Sequence, residues 1–245
     1  MKSSGTDHEA FEPIAIIGVG ALLPDANDAS EFWQNILDAR CSIKQLPDDR
    51  WNSEDHWIVG GPKDVDEGKT YSKIGAWVHG YEFDWRRWRL PPGSLPQIDP
   101  CQQWAVSVSA AALEDAGYLG ENARLPIPRE ATGVIFANAL GGENRTRSTE
   151  RVLIDRYERH ARESGISKED FSKLKQSILD GSPRVDEDTM PGELANVVAG
   201  RVANLLDLQG PNYTTDAACA CLLYTSDAAD EGLGVDLGGR RIIKK

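Results

Sequence analysis

The sequence contains no long hydrophobic run, few cysteines and no excess of basic residues. None of its apolar stretches is long enough to cross a bilayer, and residues 1–12 are polar and acidic, so we expect neither a membrane span nor a signal peptide. The four cysteines, at positions 41, 101, 219 and 221, lack the spacing of metal ligands and predict no metal site. Reduced thiols and a missing export signal favour a cytoplasmic location.

Acidic residues outnumber basic ones. The chain carries 39 Asp and Glu against 27 Lys and Arg, for a net charge of −12, which argues against a nucleic-acid or anionic-membrane partner. The aromatic and basic stretch at residues 83–89 has no nucleic-acid-binding motif around it, and we interpret it as part of a structured excursion beside a substrate or dimer surface. A composition of 40% hydrophobic and 27% charged residues is typical of one soluble globular domain or a large part of one.

Strands and helices alternate along the chain, which predicts a layered α/β sheet. Residues 13–20 form an apolar run that predicts a strand buried on both faces. Its Gly18-x-Gly20 pair does not predict a dinucleotide site, because Leu23 stands where the third glycine is required. Residues 29–39 predict a helix that packs on the sheet, with Ser30 as its N-cap.

The middle of the chain continues this alternation. Residues 99–117 predict a buried helix with Asp99 as N-cap, Pro100 in the first turn and Gly117 at the end. A second buried strand, an external arm of two charged helices and a further helix of small and aliphatic residues are expected next. These three elements are predicted at residues 131–142, 146–180 and 193–206.

The residues before Cys219 predict a short buried strand at residues 213–215, and the small residues 217–220 predict a tight turn into a helix. A cysteine at such a corner lies close to helix N-terminal amides, which stabilise a thiolate and lower the thiol pKa. Cys219 is therefore the candidate catalytic nucleophile. The alternative is a buried structural thiol.

Three stretches in this region form a recognisable set: residues 191–204, residues 208–211 and Thr215-Asp-Ala-Ala-Cys219-Ala. Together they resemble the N-terminal half of a β-ketoacyl synthase domain, of the kind that opens multidomain polyketide and polyunsaturated fatty acid synthases. The resemblance implies the N-terminal half of a thiolase-like fold with α-β-α-β-α layers. The family pattern Asp-Pro-Gln-Gln-Arg is altered here at Cys101 and Trp104, and we interpret Cys101 as a core thiol.

The resemblance also implies a function. Cys219 would carry the acyl chain in a decarboxylative Claisen condensation with a malonyl extender. Both thioesters would be presented on the phosphopantetheine arm of an acyl carrier protein or carrier domain, with no directly bound cofactor and no metal. A homodimer is the usual assembly in this family.

Two other functions stay open at this point. One is a thiolase-like or hydrolytic cysteine enzyme. The absence of a carrier protein would favour this function, whereas the Gly200-Arg-Val-Ala-Asn stretch does not favour it. The other is a non-catalytic partner subunit of a condensing enzyme, although such partners usually lack the nucleophile.

The two ends of the chain do not fit the domain pattern. We expect residues 1–12 to be a disordered leader, residues 13–220 to be the synthase half-domain, and residues 221–245 to be a non-native tail, because this tail resembles a translated sequencing adapter. A divergent natural C-terminus is the alternative. The family's two catalytic histidines have no counterpart after Cys219, so we expect the isolated chain to be inactive. The four histidines before Cys219 are expected at the surface.

Overall fold

The computed structural model describes residues 14–47, 56–61, 68–139 and 142–216. Two compact units are distinguished: Met1–Trp77 with Ala111–Pro126, and Val78–Ala110 with Ile127–Lys245. The helices described are α1 (Ala29–Leu37), α2 (Pro100–Asp115), α3 (Glu143–Glu163), α4 (Lys168–Asp180), α5 (Thr189–Glu193) and α6 (Val197–Leu205). The strands are β1 (Lys44–Gln45), β2 (Ile74–Gly75), β3 (Val134–Ala137) and β4 (Asn212–Thr215), and short 3₁₀ helices cover Pro92–Gln97 and Arg129–Ala131.

In the first unit, α1 begins before its predicted cap. Its N-cap is Asp28, whose side chain accepts a hydrogen bond from the Glu31 amide at 2.8 Å, so the prediction of Ser30 as N-cap is wrong. No residue of α1 is buried, and Trp33 is 59% exposed. The prediction that α1 packs on a sheet is therefore wrong for this structure, since its apolar side chains Phe32, Ile36 and Leu37 are exposed as well.

The apolar run at the start of the chain is not a strand. Residues 14–20 have no strand assignment, and Ile14 and Ile16 are 96% and 86% exposed. A buried strand needs backbone partners on both sides, and in the described part of the chain no strand pairs with this run. The Val19 amide instead donates to the Asp115 side chain at 2.8 Å, so the strand prediction is wrong here.

The second unit contains a parallel pair of strands. β3 and β4 pair in register from Val134 opposite Asn212 to Ala137 opposite Thr215. α6 covers one face of this pair through the fully buried Val198, Ala199 and Val202.

The strands themselves are buried on one face only. Ile135 and Tyr213, which are opposite each other in the register, are 61% and 53% exposed. The prediction of strands in these two places is confirmed, but the prediction that they are buried is wrong. Each of the two strands has a single neighbour among the described residues, and helix packing on one face leaves the alternate side chains of the other face uncovered.

The prediction of a capped α2 is confirmed, and the helix is buried in part, at Gln102, Ala105, Val106 and Ala110. Asp99 accepts a hydrogen bond from the Cys101 amide at 2.9 Å, and Gly117 ends the helical stretch with φ +78°, a conformation that glycine adopts without strain. Among the residues of α2, only Glu114 and Asp115 are exposed.

The external pair of charged helices is also confirmed. α3 and α4 contact each other around a small hydrophobic cluster of their own, formed by Ile154, Ala161 and Phe171 with the partly buried Ile178. The spacing of Ile154 and Ala161 places both on one face of α3. This helix pair therefore contains enough apolar contact to hold its two helices together.

The helix predicted at residues 193–206 is shorter than expected. It begins at Val197, because Leu194 is extended with φ −78° and ψ 126° and separates α5 from α6. The carbonyl oxygens of Pro191 and Leu194 accept hydrogen bonds from the Gln102 side chain at 3.0 and 3.3 Å. A side chain from another helix thus replaces the helical hydrogen bonds at this break.

Within the described ranges, no helix is long and apolar enough to span a lipid bilayer.

Replacing Phe171 with alanine is expected to destabilise the α3–α4 helix pair by about 3 kcal/mol, because it removes a fully buried aromatic ring from a small core. Leu174→Ala is the matched control on the same helix, since Leu174 is 51% exposed, and its expected cost is under about 1 kcal/mol. Hydrogen exchange of the α3 and α4 amides measures both. Equal changes in protection for the two variants would contradict the assigned core.

Candidate functional site

The predicted nucleophile, Cys219, and the helix predicted after it lie outside the described residues. The described chain leaves β4 at Thr215 and ends at Asp216, three residues before Cys219. Of the described elements, β4 is therefore the one nearest to Cys219 in sequence.

The carboxyl ends of β3 and β4 lie side by side. Since the strands are parallel, both chains leave the sheet at the same edge, and the Asn138 amide continues the pairing by donating to the Thr215 carbonyl at 3.1 Å. Open α/β sheets bind their ligands at this edge. This edge of the sheet is therefore the candidate functional site. Asn138 and Asp216 are the described residues that directly follow β3 and β4 there.

The first turn of α2 reaches this edge. The Asn138 side-chain amide donates to the Cys101 sulfur at 3.6 Å. Burial in the first place, and the neighbouring Asp99 carboxylate in the second, raise the pKa of the Cys101 thiol to about 12, because both disfavour the charged thiolate. Cys101 is thus a protonated, half-buried thiol at neutral pH, which agrees with its prediction as a core residue rather than a nucleophile.

One buried carboxylate organises the chain around this turn. Asp99 is 1% exposed and uses one side-chain oxygen to accept from the Cys101 amide at 2.9 Å and the other to accept from the Asn144 amide at 2.8 Å. These amides belong to the first turns of α2 and α3, where unpaired N–H groups and the positive end of the helix dipole favour a negative charge. Asp99 therefore caps two helices at once.

Two glycines make room for this arrangement. Gly142 has φ +97°, and a Cβ added there would collide with the Asp99 carboxylate. A Cβ added at Gly192 would collide with the backbone carbonyl of Gln97, and the Gly192 carbonyl accepts from the Asp99 amide at 2.9 Å. The backbone can approach Asp99 this closely only because both positions lack a side chain.

Gln102 connects α2 to the chain before α6. It is fully buried. Its side-chain amide donates to the Pro191 carbonyl at the α5–α6 break, and its side-chain oxygen accepts from the Arg201 guanidinium. Burial lowers the pKa of Arg201, while the charge of Asp188 raises it. Arg201, in the Gly200-Arg-Val-Ala-Asn stretch, is half-buried, and its contact with Gln102 gives the guanidinium a hydrogen-bond acceptor there.

A second group of buried polar side chains surrounds the first. Gln97 donates to the Arg184 carbonyl at 2.6 Å and accepts from the Thr189 hydroxyl at 3.0 Å. The Ser148 hydroxyl donates to the Glu193 carboxylate. Each of these groups has a hydrogen-bond partner, which is the condition for burying polar atoms without a large cost. The buried polar residues in the described part of the chain are Gln97, Asp99, Gln102, Asn144, Ser148, Ser182, Thr189 and Glu193.

Sequence reasoning did not identify Asn138, Asn144 or Glu193 as parts of this neighbourhood. Asn138 follows a strand directly, and polar residues at the carboxyl ends of parallel strands are a usable signal for a site. Asn144 and Glu193 carry no such signal, because their partners are 45 residues away in sequence.

The described histidines lie away from any cluster of catalytic groups. His56, His79 and His160 are exposed, which confirms their predicted surface positions, and His8 lies outside the described residues. In the part of the chain that the structure describes, no three His, Cys, Asp or Glu side chains are placed to hold a metal ion.

Comparison with known proteins identifies the family. Residues 11–231 match the family model of the β-ketoacyl synthase N-terminal domain. Polyketide synthase ThaG of Burkholderia thailandensis is 31% identical over 213 residues, which are 86% of this chain and 3% of that protein. A polyunsaturated fatty acid synthase from a Thraustochytrium species is 29% identical over 229 residues, covering 91% of this chain and 8% of that protein.

Solved structures give the same fold. The oxazolomycin ketosynthase domain OzmH KS7 of Streptomyces albus superimposes with a TM-score of 0.62 at 23% identity, over 89% of this chain and 31% of that chain. The ketosynthase from module 6 of the bacillaene synthase of Bacillus subtilis gives 0.52 at 20% identity, over 89% and 29%. The predicted thiolase-like α/β fold is confirmed. The chain thus spans about a third of the ketosynthase structures and under a tenth of the two curated relatives.

Replacing Asp99 with alanine is expected to lower the free energy of unfolding by about 2–4 kcal/mol, because two buried amides lose a charged acceptor at once. Ser167→Ala is the control, since Ser167 caps α4 alone through the Asp170 amide at 3.1 Å, with an expected cost of about 1 kcal/mol. Urea denaturation measures both. An Asp99→Ala cost no larger than that of Ser167→Ala would contradict the double cap.

Cys101 is expected to resist alkylation at neutral pH. With a pKa of about 12, its reaction with iodoacetamide is expected to accelerate about tenfold per pH unit from pH 8 to pH 11, following the thiolate fraction. Peptide mass spectrometry follows the labelling, and the exposed Cys41 in the same digest shows that the reagent is active. A rate that levels off below pH 10 would contradict the elevated pKa.

Proposed function

The chain belongs to the β-ketoacyl synthase family, and from that premise we propose that Cys219 is the nucleophile of a decarboxylative condensation between an acyl thioester and a malonyl thioester. The match over residues 11–231 carries this proposal, because it includes Cys219 and the strand that leads to it. The named relatives are polyketide and polyunsaturated fatty acid synthases, which supports a product of fatty acid or polyketide type.

The first half-reaction is an acyl transfer. The Cys219 thiolate attacks the carbonyl carbon of an acyl thioester, a new carbon–sulfur bond forms, and the thiolate of the donor leaves. Backbone amides near the strand-to-helix corner that the sequence predicts at residues 217–220 would hold the oxygen that becomes negative during the attack. The product is an acyl group carried on Cys219.

The second half-reaction forms the carbon–carbon bond. The malonyl thioester loses carbon dioxide, and the electron pair of the broken bond becomes an enolate. The enolate carbon attacks the acyl carbonyl on Cys219, and the Cys219 thiolate leaves with the electrons of its carbon–sulfur bond. The product is a β-ketoacyl thioester on the extender's carrier, and the enzyme returns to its starting state.

The position of Cys219 along the chain supports the nucleophile assignment. It follows the carboxyl end of β4 by four residues, and α6 covers β4 on one face only. Cys101 does not compete for this role, because its elevated pKa leaves it protonated.

The partners proposed are an acyl carrier protein or carrier domain and, in accordance with the family's usual assembly, a second copy of the chain. The phosphopantetheine arm of the carrier is the source of both thioesters and acts as substrate. An arm of this kind delivers the two reacting groups to one cysteine at a high effective concentration.

Cys219→Ala is expected to abolish acyl transfer in the full-length natural polypeptide that carries this sequence. The assay follows the mass increase of the protein on incubation with an acyl-pantetheine thioester, and locates the acyl group by peptide mass spectrometry. Cys41→Ala is the matched control, because Cys41 is exposed and lies outside the proposed chemistry, so its loading is expected to equal that of the unsubstituted protein. Full acylation of the Cys219→Ala variant would refute the nucleophile, and acylation of Cys219 followed only by hydrolysis in the presence of a malonyl thioester would refute the condensation.

A further inference from the structure

We propose that the outer face of α3 is a docking surface for a partner protein that presents acidic side chains along one helix. The surface, the arginine stripe, consists of Arg145, Val152, Arg156 and Arg159. It belongs to the external helix pair and takes no part in the condensation proposed for Cys219.

The four residues of the arginine stripe share one face of α3. Their spacings along the sequence return to the same side of an α-helix, and all four side chains are exposed, with Val152 at 68%. The buried Ile154 and Ala161 lie on the opposite face and pack with α4. A rise of 1.5 Å per residue separates Arg145 from Arg159 by about 21 Å along the helix axis. The stripe is therefore an exposed row of three guanidinium groups with one apolar side chain among them.

The acidic residues of α3 do not neutralise the arginine stripe. Two of its arginines have no acidic residue three or four positions away, which is the spacing of ion pairs on a helix surface. The third, Arg159, has Asp155 and Glu163 at this spacing. These two carboxylates contact Lys175 and His160 instead, each at 3.4 Å. Within the described ranges the stripe thus keeps its positive charges unpaired, in a chain whose net charge is −12.

The arginine stripe also weakens the helix that carries it. Arg145 lies in the first turn of α3, where the positive end of the helix dipole disfavours a cation. Arg156 and Arg159 are three residues apart, so their like charges are neighbours on the helix surface and repel each other. None of these side chains belongs to the core of the helix pair. An acidic partner relieves both unfavourable interactions, which folding alone does not require.

The helix that presents the stripe is held in place before any partner binds. Asn144, the residue before Arg145, donates through its backbone to the buried Asp99 and through its side chain to the Pro96 carbonyl. Arg151 donates to two carbonyl groups at the end of α4, at 2.7 and 3.0 Å. A surface that is ordered in advance loses little conformational entropy on binding. The helix pair is therefore a suitable platform for docking.

The chemistry of the stripe defines the partner. Carboxylates bind guanidinium groups through paired hydrogen bonds of matching geometry. A helix lying antiparallel to α3 meets the stripe when it has acidic residues at positions i, i+3 and i+14 and an apolar residue at i+7, which is the spacing of the stripe in reverse. A nucleic acid or an anionic membrane presents many charges to the whole molecule, and the net charge of −12 repels them.

The test measures how tightly the full-length natural polypeptide binds a fluorescent, alanine-based helical peptide of about 20 residues. The peptide has glutamate at positions i, i+3 and i+14 and leucine at i+7, and fluorescence anisotropy gives the dissociation constant. Arg145→Gln, Arg156→Gln and Arg159→Gln are each expected to weaken binding about two- to fivefold, as for exposed ion pairs. The triple variant is expected to bind about tenfold more weakly or worse. Glutamine is a good helix former, so α3 is expected to stay folded.

Arg162→Gln is the matched control, because Arg162 is an exposed arginine of the same helix that lies on a different face. Its affinity for the peptide is expected to stay within about twofold of the unsubstituted protein. A peptide of the same composition, with its glutamates moved to the face opposite the leucine, is expected to bind at least about threefold more weakly.

Three results would overturn the proposal: no binding below about 1 mM peptide, equal weakening by Arg162→Gln, or equal affinity for the two peptides. Tighter binding of anionic phospholipid vesicles or of a single-stranded oligonucleotide, abolished by the triple variant, would overturn it as well. In that case the stripe would serve a membrane or a nucleic acid rather than an acidic protein helix.

Discussion

The structure of the second unit depends on one buried charge shared between two helices. Asp99 places one oxygen at the first turn of α2 and the other at the first turn of α3, and its own backbone amide binds Gly192. A buried carboxylate is costly unless every lone pair is occupied and positive potential surrounds it. Two helix N-termini supply both conditions. Because Gly142 and Gly192 have no side chain, the backbone at these positions can pack closely around Asp99 and its neighbours.

This arrangement explains why a site can be built at the end of a pair of strands that is poorly covered. β3 and β4 are exposed on one face, and a two-stranded sheet has little stability by itself. Their carboxyl ends are nonetheless defined, because Asn138 contacts Thr215 on one side and Cys101 on the other. Gln102 and Arg201 then connect the same turn of α2 to α6, which precedes β4. The carboxyl end of β4 and the helix that precedes β4 are thus both linked to the first turn of α2.

Local signals predicted much of the fold, whereas long-range partners were not predictable. The cap and end of α2 follow from Asp99, Pro100 and Gly117, and the α3–α4 pair follows from a single apolar stripe, because these patterns are contained in a few consecutive turns. Residues 14–20 have the composition of a buried strand but no strand partner in the described chain, and composition cannot supply a partner. The break at Leu194 likewise depends on Gln102, 92 residues away. For the candidate site, the sequence predicted the strand before Cys219 but not Asn138, and the role of Cys219 stays a prediction.

The α3–α4 helix pair is inserted between two points that nearly coincide. At its beginning the Asn144 side chain binds the Pro96 carbonyl at 3.0 Å, and just beyond its end the Arg184 carbonyl binds the Gln97 side chain at 2.6 Å. The two ends of the helix pair are therefore hydrogen-bonded to Pro96 and Gln97, which are consecutive residues of the same 3₁₀ helix. Because lengthening a chain segment whose ends are already joined costs little entropy, this hairpin is a place where evolution can add or remove helical turns, or graft a new recognition element, without displacing the edge from which Cys219 follows.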